Sequence, residues 1–451
     1  MIRSALLFPA WLVAAAAPVA AQRPAGDGLA DRVDAAVKEF LAARQIVGTS
    51  VGVMKDGRIL LAKGYGFADL ENEVPATEHT VYRIGSVTKQ FTASAIMQLV
   101  EQGKLSLDDE LTKFVPDYPT KGHRITVDRL LTHTSGIKGY TEMPKFWEQS
   151  RQDLTHEQMI AMFSAEPFEF APGERYQYNN SAYYLLGVII EKTSGQSYAD
   201  YLKQKVFDPL GLAETHYLDE APIVPRRAAG YEVRQGAVRN DDPLSMKLPY
   251  AAGSLGASVL DLMKWQTALV ESRLLKPESY ARMKTPATLN DGSKTTYGYG
   301  LGMGTLEGHR KVAHGGGING FRSQLAYYPD DRLTVVVLCN TGTANPDLLE
   351  ARITRLALGI PEKTVVEVPL AEAELRKYAG TYNPGRSPFR VAFENGALML
   401  FGTRLRPIGG HRFVAADDPY QQVTFEVTGG EVTSLTIERE GQKTTARRVG
   451  S

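Results

Sequence analysis

Strand-like sequence sits at the two ends of residues 29–360 and helical sequence fills the interval, so a sheet formed here must pair segments far apart in the chain. At the front, Gly48-Thr-Ser-Val-Gly-Val-Met and Arg58-Ile-Leu-Leu-Ala flank Lys55-Asp56-Gly57, a hairpin turn signal. At the back, Phe321–Tyr328 and Leu333–Cys339 flank Pro329-Asp330-Asp331. Residues 29–44 space Leu29, Val33, Ala36, Val37, Phe40 and Leu41 at intervals of three and four, which predicts an amphipathic helix. Helical and loop patterns then alternate to about residue 285. The reading is an α+β fold whose sheet joins distant segments.

A change of texture near residue 360 divides the chain. Pro361–Pro369 reads as a linker and Leu370–Tyr378 as a short helical patch. Short alternating segments follow at 389–393, 398–401, 412–415, 423–427 and 432–438, predicting a small antiparallel barrel or sandwich. At 451 residues there is room for both parts, on a scale of about 100–200 residues per domain. Residues 1–21 have a short positive start, an apolar stretch from Ala5 to Ala17 interrupted by Pro9, and small residues before Gln22. They predict a secretory signal cleaved after Ala21, and hence a periplasmic or secreted protein. The expected units are 1–21, 22–362 and 363–451. No later stretch approaches eighteen apolar residues, so no membrane span is expected after cleavage.

Charge narrows the function classes. Lys plus Arg and Asp plus Glu both number 51, which argues against a protein built to coat nucleic acid. The single cysteine, Cys339, lies in an apolar run and reads as a buried strand residue; one cysteine can form no intrachain disulfide or Cys-based metal cluster. No metal site built on Cys or His is expected. His79, His123, His133, His156, His216, His309 and His411 lack metal-binding spacing and read as structural or surface residues, with His133 packing a loop.

Three segments can carry chemistry. Ser86-Val87-Thr88-Lys89 opens a helix with Val87, Phe91, Ala95, Ile96 and Leu99 on one face and Gly103 at its end. The spacing puts Lys89 one turn above Ser86. A lysine that burial has stripped of its proton can activate a serine hydroxyl. Ser86 as a plain helix cap is the bland alternative. A second match, Ser135-x-x-Lys138, contains Gly136, lacks an apolar face and reads as a loop. Tyr178-x-Asn180 precedes an apolar helix over 183–193, setting a phenol near a carboxamide. The phenol can relay protons where nearby cations lower its pKa. His314-Gly315-Gly316-Gly317 precedes a strand, and the Gly317 N–H can help hold an oxyanion. Gly315, Gly317 and Gly320 also fit Gly-x-Gly-x-x-Gly, but the following segment reads as strand where a dinucleotide site needs a helix.

Taken together, Ser86-x-x-Lys89, Tyr178-x-Asn180 and His314-Gly-Gly resemble the serine β-lactamase and penicillin-binding-protein superfamily. The similarity is to the branch of class C β-lactamases, D-alanyl-D-alanine carboxypeptidases, D-aminopeptidases and related esterases. Tyr82-Arg-Ile-Gly85, Leu130-Leu-Thr-His-Thr-Ser-Gly136 and Tyr299-Gly-Leu-Gly302 agree with it. The resemblance implies an antiparallel sheet flanked by helices plus an all-α subdomain, with the site between them. It implies Ser86 as the acylated nucleophile, Lys89 with Tyr178 as acid/base pair, and Asn180, His314, Gly316 and Gly317 as substrate contacts. The implied substrates are D-amino-acid peptides, small esters or β-lactam-like amides, with peptidoglycan fragments as possible partners. The resemblance implies no metal or organic cofactor. The tail resembles a lipocalin-like barrel. His314 stands where class C β-lactamases have lysine, and no counterpart of the class A deacylating glutamate is found, so peptides and esters are expected ahead of β-lactams. The alternative is a catalytically idle protein of this fold that binds or senses peptidoglycan or penicillin.

Overall fold

The computed structural model describes residues 28–219, 221–385, 388–439 and 442–450. The signal sequence expected at 1–21 lies outside these residues. Helix α1 (Leu29–Arg44) buries Val33, Ala36 and Val37, the stripe its spacing predicts. Strands β1 (Gly48–Lys55) and β2 (Arg58–Asp69) follow as a hairpin. Its turn holds Asp56 at φ 52° and Gly57 at φ 74°. Two consecutive positive φ values match the strands' right-handed twist, and Asp-Gly adopts them at little cost. β3 (Val74–Pro75) adds a short edge.

Between β3 and the returning strands, helices alternate with loops and short strands. The long helices are α2 (Thr88–Glu101), α3 (Asn180–Ser194) and α4 (Val259–Val270). Strands β4 (Gly302–Leu306), β5 (His309–Ile318), β6 (Phe321–Tyr328) and β7 (Leu333–Cys339) then complete a seven-stranded sheet of order β3-β2-β1-β7-β6-β5-β4. Helix α5 (Pro346–Leu358) closes this part. The two ends do meet: β1 pairs antiparallel with β7, Val51 opposite Val337.

Both faces of the sheet centre are covered, which is why β7 is apolar at nearly every position. Val335, Val337 and Cys339 pack with α1 and α5, whereas Val336 and Leu338 join the larger core that contains Val259 and Met263 of α4. Burial pushes the Cys339 thiol up to about 12, leaving it an inert packing residue.

Helix α2 runs through the middle of the larger core, and every residue from Thr88 to Met97 is buried. Phe91 stacks on Trp265 with ring centroids 3.9 Å apart, and the Trp265 indole N–H donates to Gln90 Oε1 at 3.0 Å. At its end, Gly103 takes φ 68° while its N–H and that of Lys104 reach back to Val100 and Leu99 carbonyls at 2.9 and 3.0 Å. This left-handed cap is the role glycine serves after a helix.

Beyond the linker, strands β8 (Gly380–Asn383), β9 (Phe389–Glu394), β10 (Ala397–Leu400), β11 (Thr403–Gly409), β12 (Arg412–Ala415), β13 (Asp418–Thr428), β14 (Glu431–Arg439) and β15 (Gln442–Gly450) form a closed antiparallel barrel. Tyr382, Leu398, Phe413, Val423, Phe425 and Leu435 fill its interior. The sequence reading finds five of these strands. β8 offers a single large apolar side chain, Tyr382, β11 contains Pro407, and β15 is mostly polar with Ala446 as its residue in the barrel core. Each therefore lacks the alternation that marks the others. No helix among the described residues is long and apolar enough to cross a membrane.

Candidate active site

Ser86 sits half-buried on a single 3-10 turn, Gly85–Val87, that leads into α2. The turn is held on both sides: Ile84 N–H donates to Leu255 O at 2.9 Å, and Ile84 O accepts from Ser323 Oγ at 2.7 Å. Gly85 has φ 50°, and a side chain there would begin 2.9 Å from Gly317 N. Only glycine lets the turn and β5 come this close. The Gly317 amide thus lies beside the residue that precedes Ser86. β4 begins at Gly302, opposite Ala313, so the stretch of β5 from His314 to Ile318 that pairs with β6 is left unpaired by β4.

Lys89 is completely buried. Its Nζ lies 3.1 Å from Ser86 Oγ, 2.8 Å from Asn180 Oδ1 and 2.8 Å from Ala252 O. Burial holds its pKa well below the usual lysine range. Two of the three partners are carbonyl oxygens, which only accept. In the neutral amine both N–H groups therefore go to Asn180 and Ala252, and the lone pair is left for the Ser86 hydroxyl. Ala252 is absent from the sequence reading, and no signal could have shown it, because a backbone carbonyl belongs to every residue type.

Asn180 is the first residue of α3, whose cap Asn179 accepts from Ala182 N–H at 2.9 Å and donates to Ile137 O at 2.6 Å. Asn180 also donates to Thr141 Oγ1 at 3.1 Å, so its amide orientation is fixed from both ends. Just before it, the buried Tyr178 hydroxyl has no hydrogen-bond partner among the described residues. Burial pushes this phenol's pKa up, and the nearby Ser86 hydroxyl pulls the other way. The sequence reading looks for cations that lower it. Lys89 Nζ instead lies 4.7 Å from the centre of the ring, not at the oxygen, and the net shift is upward.

His133 belongs to the site's wall. It is buried at φ 58°, its carbonyl accepts from Gln177 N–H at 3.0 Å, and its Nδ1 accepts from Asn179 N–H at 3.0 Å. One residue therefore grips the backbone on each side of Tyr178, and its ring centroid is 4.4 Å from the Tyr178 ring. It is a packing residue, as its loop context predicts, and what it packs is the site. The second Ser-x-x-Lys segment is a loop: Lys138 pairs with Glu169 and Glu142 at 2.8 and 2.9 Å, which raises its pKa and keeps it charged.

His314 on β5 is buried, with its ring centroid 6.0 Å from that of Tyr178. Nδ1 lies 2.6 Å from Gly315 O and must carry the proton, so Nε2, 2.7 Å from the Tyr297 hydroxyl, accepts. Burial, reinforced by the Lys89 charge, depresses its pKa to about 3. It is thus a neutral ring with both nitrogens engaged. Tyr297 lies outside the motifs read from sequence, two residues before the Tyr299-Gly300-Leu301-Gly302 flank.

This histidine should leave a mark on acid stability. Unfolded, it binds a proton below about 6.5; folded, it resists until about 3. Its contribution is therefore lost progressively as pH falls across that window. In His314→Gln, urea midpoints should fall less between pH 7 and pH 4 than in the wild type. Parallel losses in the two proteins would contradict this account of His314.

Among the described residues no group of three His, Cys, Asp or Glu side chains is placed to hold a metal ion.

The chain belongs to the Beta-lactamase family, whose model matches residues 33–359. It is 29% identical over 341 residues to a D-aminopeptidase of Gluconobacter oxydans (strain 621H), a match covering 74% of this chain and 63% of that protein. The chain thus spans less than two thirds of that relative's length. Among solved structures, the octameric penicillin-binding protein homologue from Pyrococcus abyssi superposes with a TM-score of 0.68 at 29% identity, covering 93% of this chain and 99% of that one. The D-amino acid amidase from Ochrobactrum anthropi SV3 in complex with D-phenylalanine gives a TM-score of 0.64 at 25% identity, covering 74% and 100%.

Proposed function

We propose that this member of the Beta-lactamase family is a serine hydrolase that transfers the acyl group of an amide or ester first to Ser86 and then to water. The observation that carries the reading is the buried Lys89 amine, whose two hydrogens are engaged by carbonyl oxygens and whose remaining position faces Ser86 Oγ at 3.1 Å. Lys89 takes the hydroxyl proton as Oγ attacks the carbonyl carbon. The Ser86 and Gly317 amides hold the resulting oxyanion. Tyr178, a phenol that burial keeps protonated, donates to the departing amine or alkoxide, which leaves as the acyl-enzyme forms. Water then attacks the ester, Tyr178 takes up a proton of that water, and Lys89 returns its proton to Ser86 Oγ as the acyl–oxygen bond breaks and the acid leaves. Asn180 orients Lys89 and the substrate carbonyl.

The proposed substrates are D-amino-acid amides, peptides or esters, a class supported by the relatives named D-aminopeptidase and D-amino acid amidase. The neutral His314 offers no fixed charge to a substrate carboxylate. Amides and esters lacking that carboxylate are favoured over β-lactams and carboxypeptidase substrates. Residues 1–21 support export to the periplasm or beyond, which the mass of the N-terminal peptide of the exported protein would verify.

Intact-mass spectrometry of wild type and Ser86→Ala tests the reaction, using p-nitrophenyl acetate, D-phenylalanine amide and benzylpenicillin in turn. We expect an acyl adduct or turnover with the ester or the D-amide, in the wild type alone. Adducts on both proteins would remove Ser86 from the role. Binding to the wild type with neither adduct nor turnover would show an idle binding protein of the same fold.

A further inference from the structure

We propose a second ligand site, for a monocarboxylate with an apolar body, in the junction between the sheet-and-helix domain and the barrel. A cavity of about 540 Å³ lies there, walled by α1, α5, the linker and the barrel segment 416–420. That size suits a small organic molecule. It is separate from the barrel lumen, which the barrel's own side chains fill.

Two guanidinium groups in its lining are incompletely satisfied. Arg355 is 4% exposed and its buried Nε has no hydrogen-bond partner. Its flat group lies 3.4 Å from the centre of the Tyr420 ring, and its Nη2 reaches Glu307 Oε1 only at 3.4 Å. Arg406, from β11, also buries an unpartnered Nε, and among the described residues its side chain makes no hydrogen bond, ion pair or ring contact. Polar groups withdrawn from water without partners are costly, charged ones most of all.

The acids around the cavity do not relieve them. Asp417 is paired with Arg44, and Asp418 with Arg439 at 2.8 Å. Glu39 and Glu362 share Arg352 at 2.6 and 3.1 Å. With these four carboxylates already paired, a single ligand carboxylate in the cavity can pair with the Arg406 guanidinium that lines it. Ala36, Phe40, Leu348 and Val365 offer the rest of the ligand an apolar wall.

The test uses the full chain and octanoate, with octylammonium and sulfate as controls. Octanoate should raise the melting temperature of the wild type saturably, and calorimetric titration should show one site. In Arg406→Ala its affinity should fall by about tenfold or more, the scale of a lost charge-assisted hydrogen bond. Arg406→Ala should keep the ligand-free melting transition and the rate of ester hydrolysis. Octylammonium should give no saturable shift. An absent octanoate shift, or one unchanged in Arg406→Ala, would overturn the site. A sulfate shift equal to that of octanoate would overturn the apolar part of the ligand class. Because no reaction is followed, these outcomes are independent of the chemistry at Ser86.

Discussion

Lys89→Met is expected to lower kcat/KM for ester or D-amide hydrolysis by about a thousandfold or more, within the range that general-base groups contribute. Methionine nearly matches lysine in length, so it fills the buried space beneath Ser86 but supplies no lone pair. Asn180 Oδ1 and Ala252 O lose their donor at the same time, which adds some disorder to the substrate carboxamide contact. Lys89→Arg should fare no better, since a guanidinium does not surrender its proton near neutral pH. Two further readouts separate a chemical role from a structural one. The acid limb of the wild-type kcat/KM profile should rise with pH as Lys89 loses its proton. His314 cannot cause that limb, being depressed to about 3. Wild-type stability should also increase with pH below the unfolded lysine value, because there the unfolded chain binds a proton that the folded site resists. The Lys89→Met protein should lack that increment. Activity within tenfold of wild type in Lys89→Met would remove lysine from the mechanism.

Gly316→Ala should be nearly as damaging, for a steric reason. A Cβ at 316 would lie 2.0 Å from Ile84 O and 2.3 Å from Ser323 Oγ. Ile84 O is backbone, immediately before the turn that carries Ser86, and it already accepts the Ser323 hydroxyl at 2.7 Å. It cannot swing aside as a side chain would. Either β5 withdraws, taking the Gly317 amide with it, or the turn that carries Ser86 shifts. A displacement of about 1 Å in a reacting group can cost on the order of a hundredfold in rate. We therefore expect kcat to fall by about a hundredfold, with a stability loss of about 1–3 kcal/mol, typical of overpacking. Gly304→Ala is the control: a Cβ at Gly304 meets nothing within 4 Å. Its kinetics and urea midpoint should match the wild type. A Gly316→Ala enzyme with wild-type kcat would show that β5 and the turn are not held in fixed register.

Elements governed by neighbours in sequence were legible before any coordinates. Asp56-Gly57 announces its turn because both residues tolerate positive φ, and the stripe on α1 follows from helical period. Ser86 and Lys89 share a side of the chain through their three-residue spacing, whatever the rest of the molecule does. The apolar run of β7 shows that it is buried, though not that β1 is its partner.

What surrounds those residues was decided in three dimensions. The carbonyl of Ala252, the grip of His133 on either side of Tyr178 and the Tyr297 hydroxyl on His314 reach the site from distant loops and strands. A backbone carbonyl has no signature in a one-letter code, and the lowered pKa values of Lys89 and His314 come from water excluded by elements far apart in the chain. Spacing along a helix is a local property, so the sequence by itself determines that Ser86 and Lys89 stand together. Burial and hydrogen-bond direction belong to the packed chain, and only the tertiary structure decides the protonation state in which they meet.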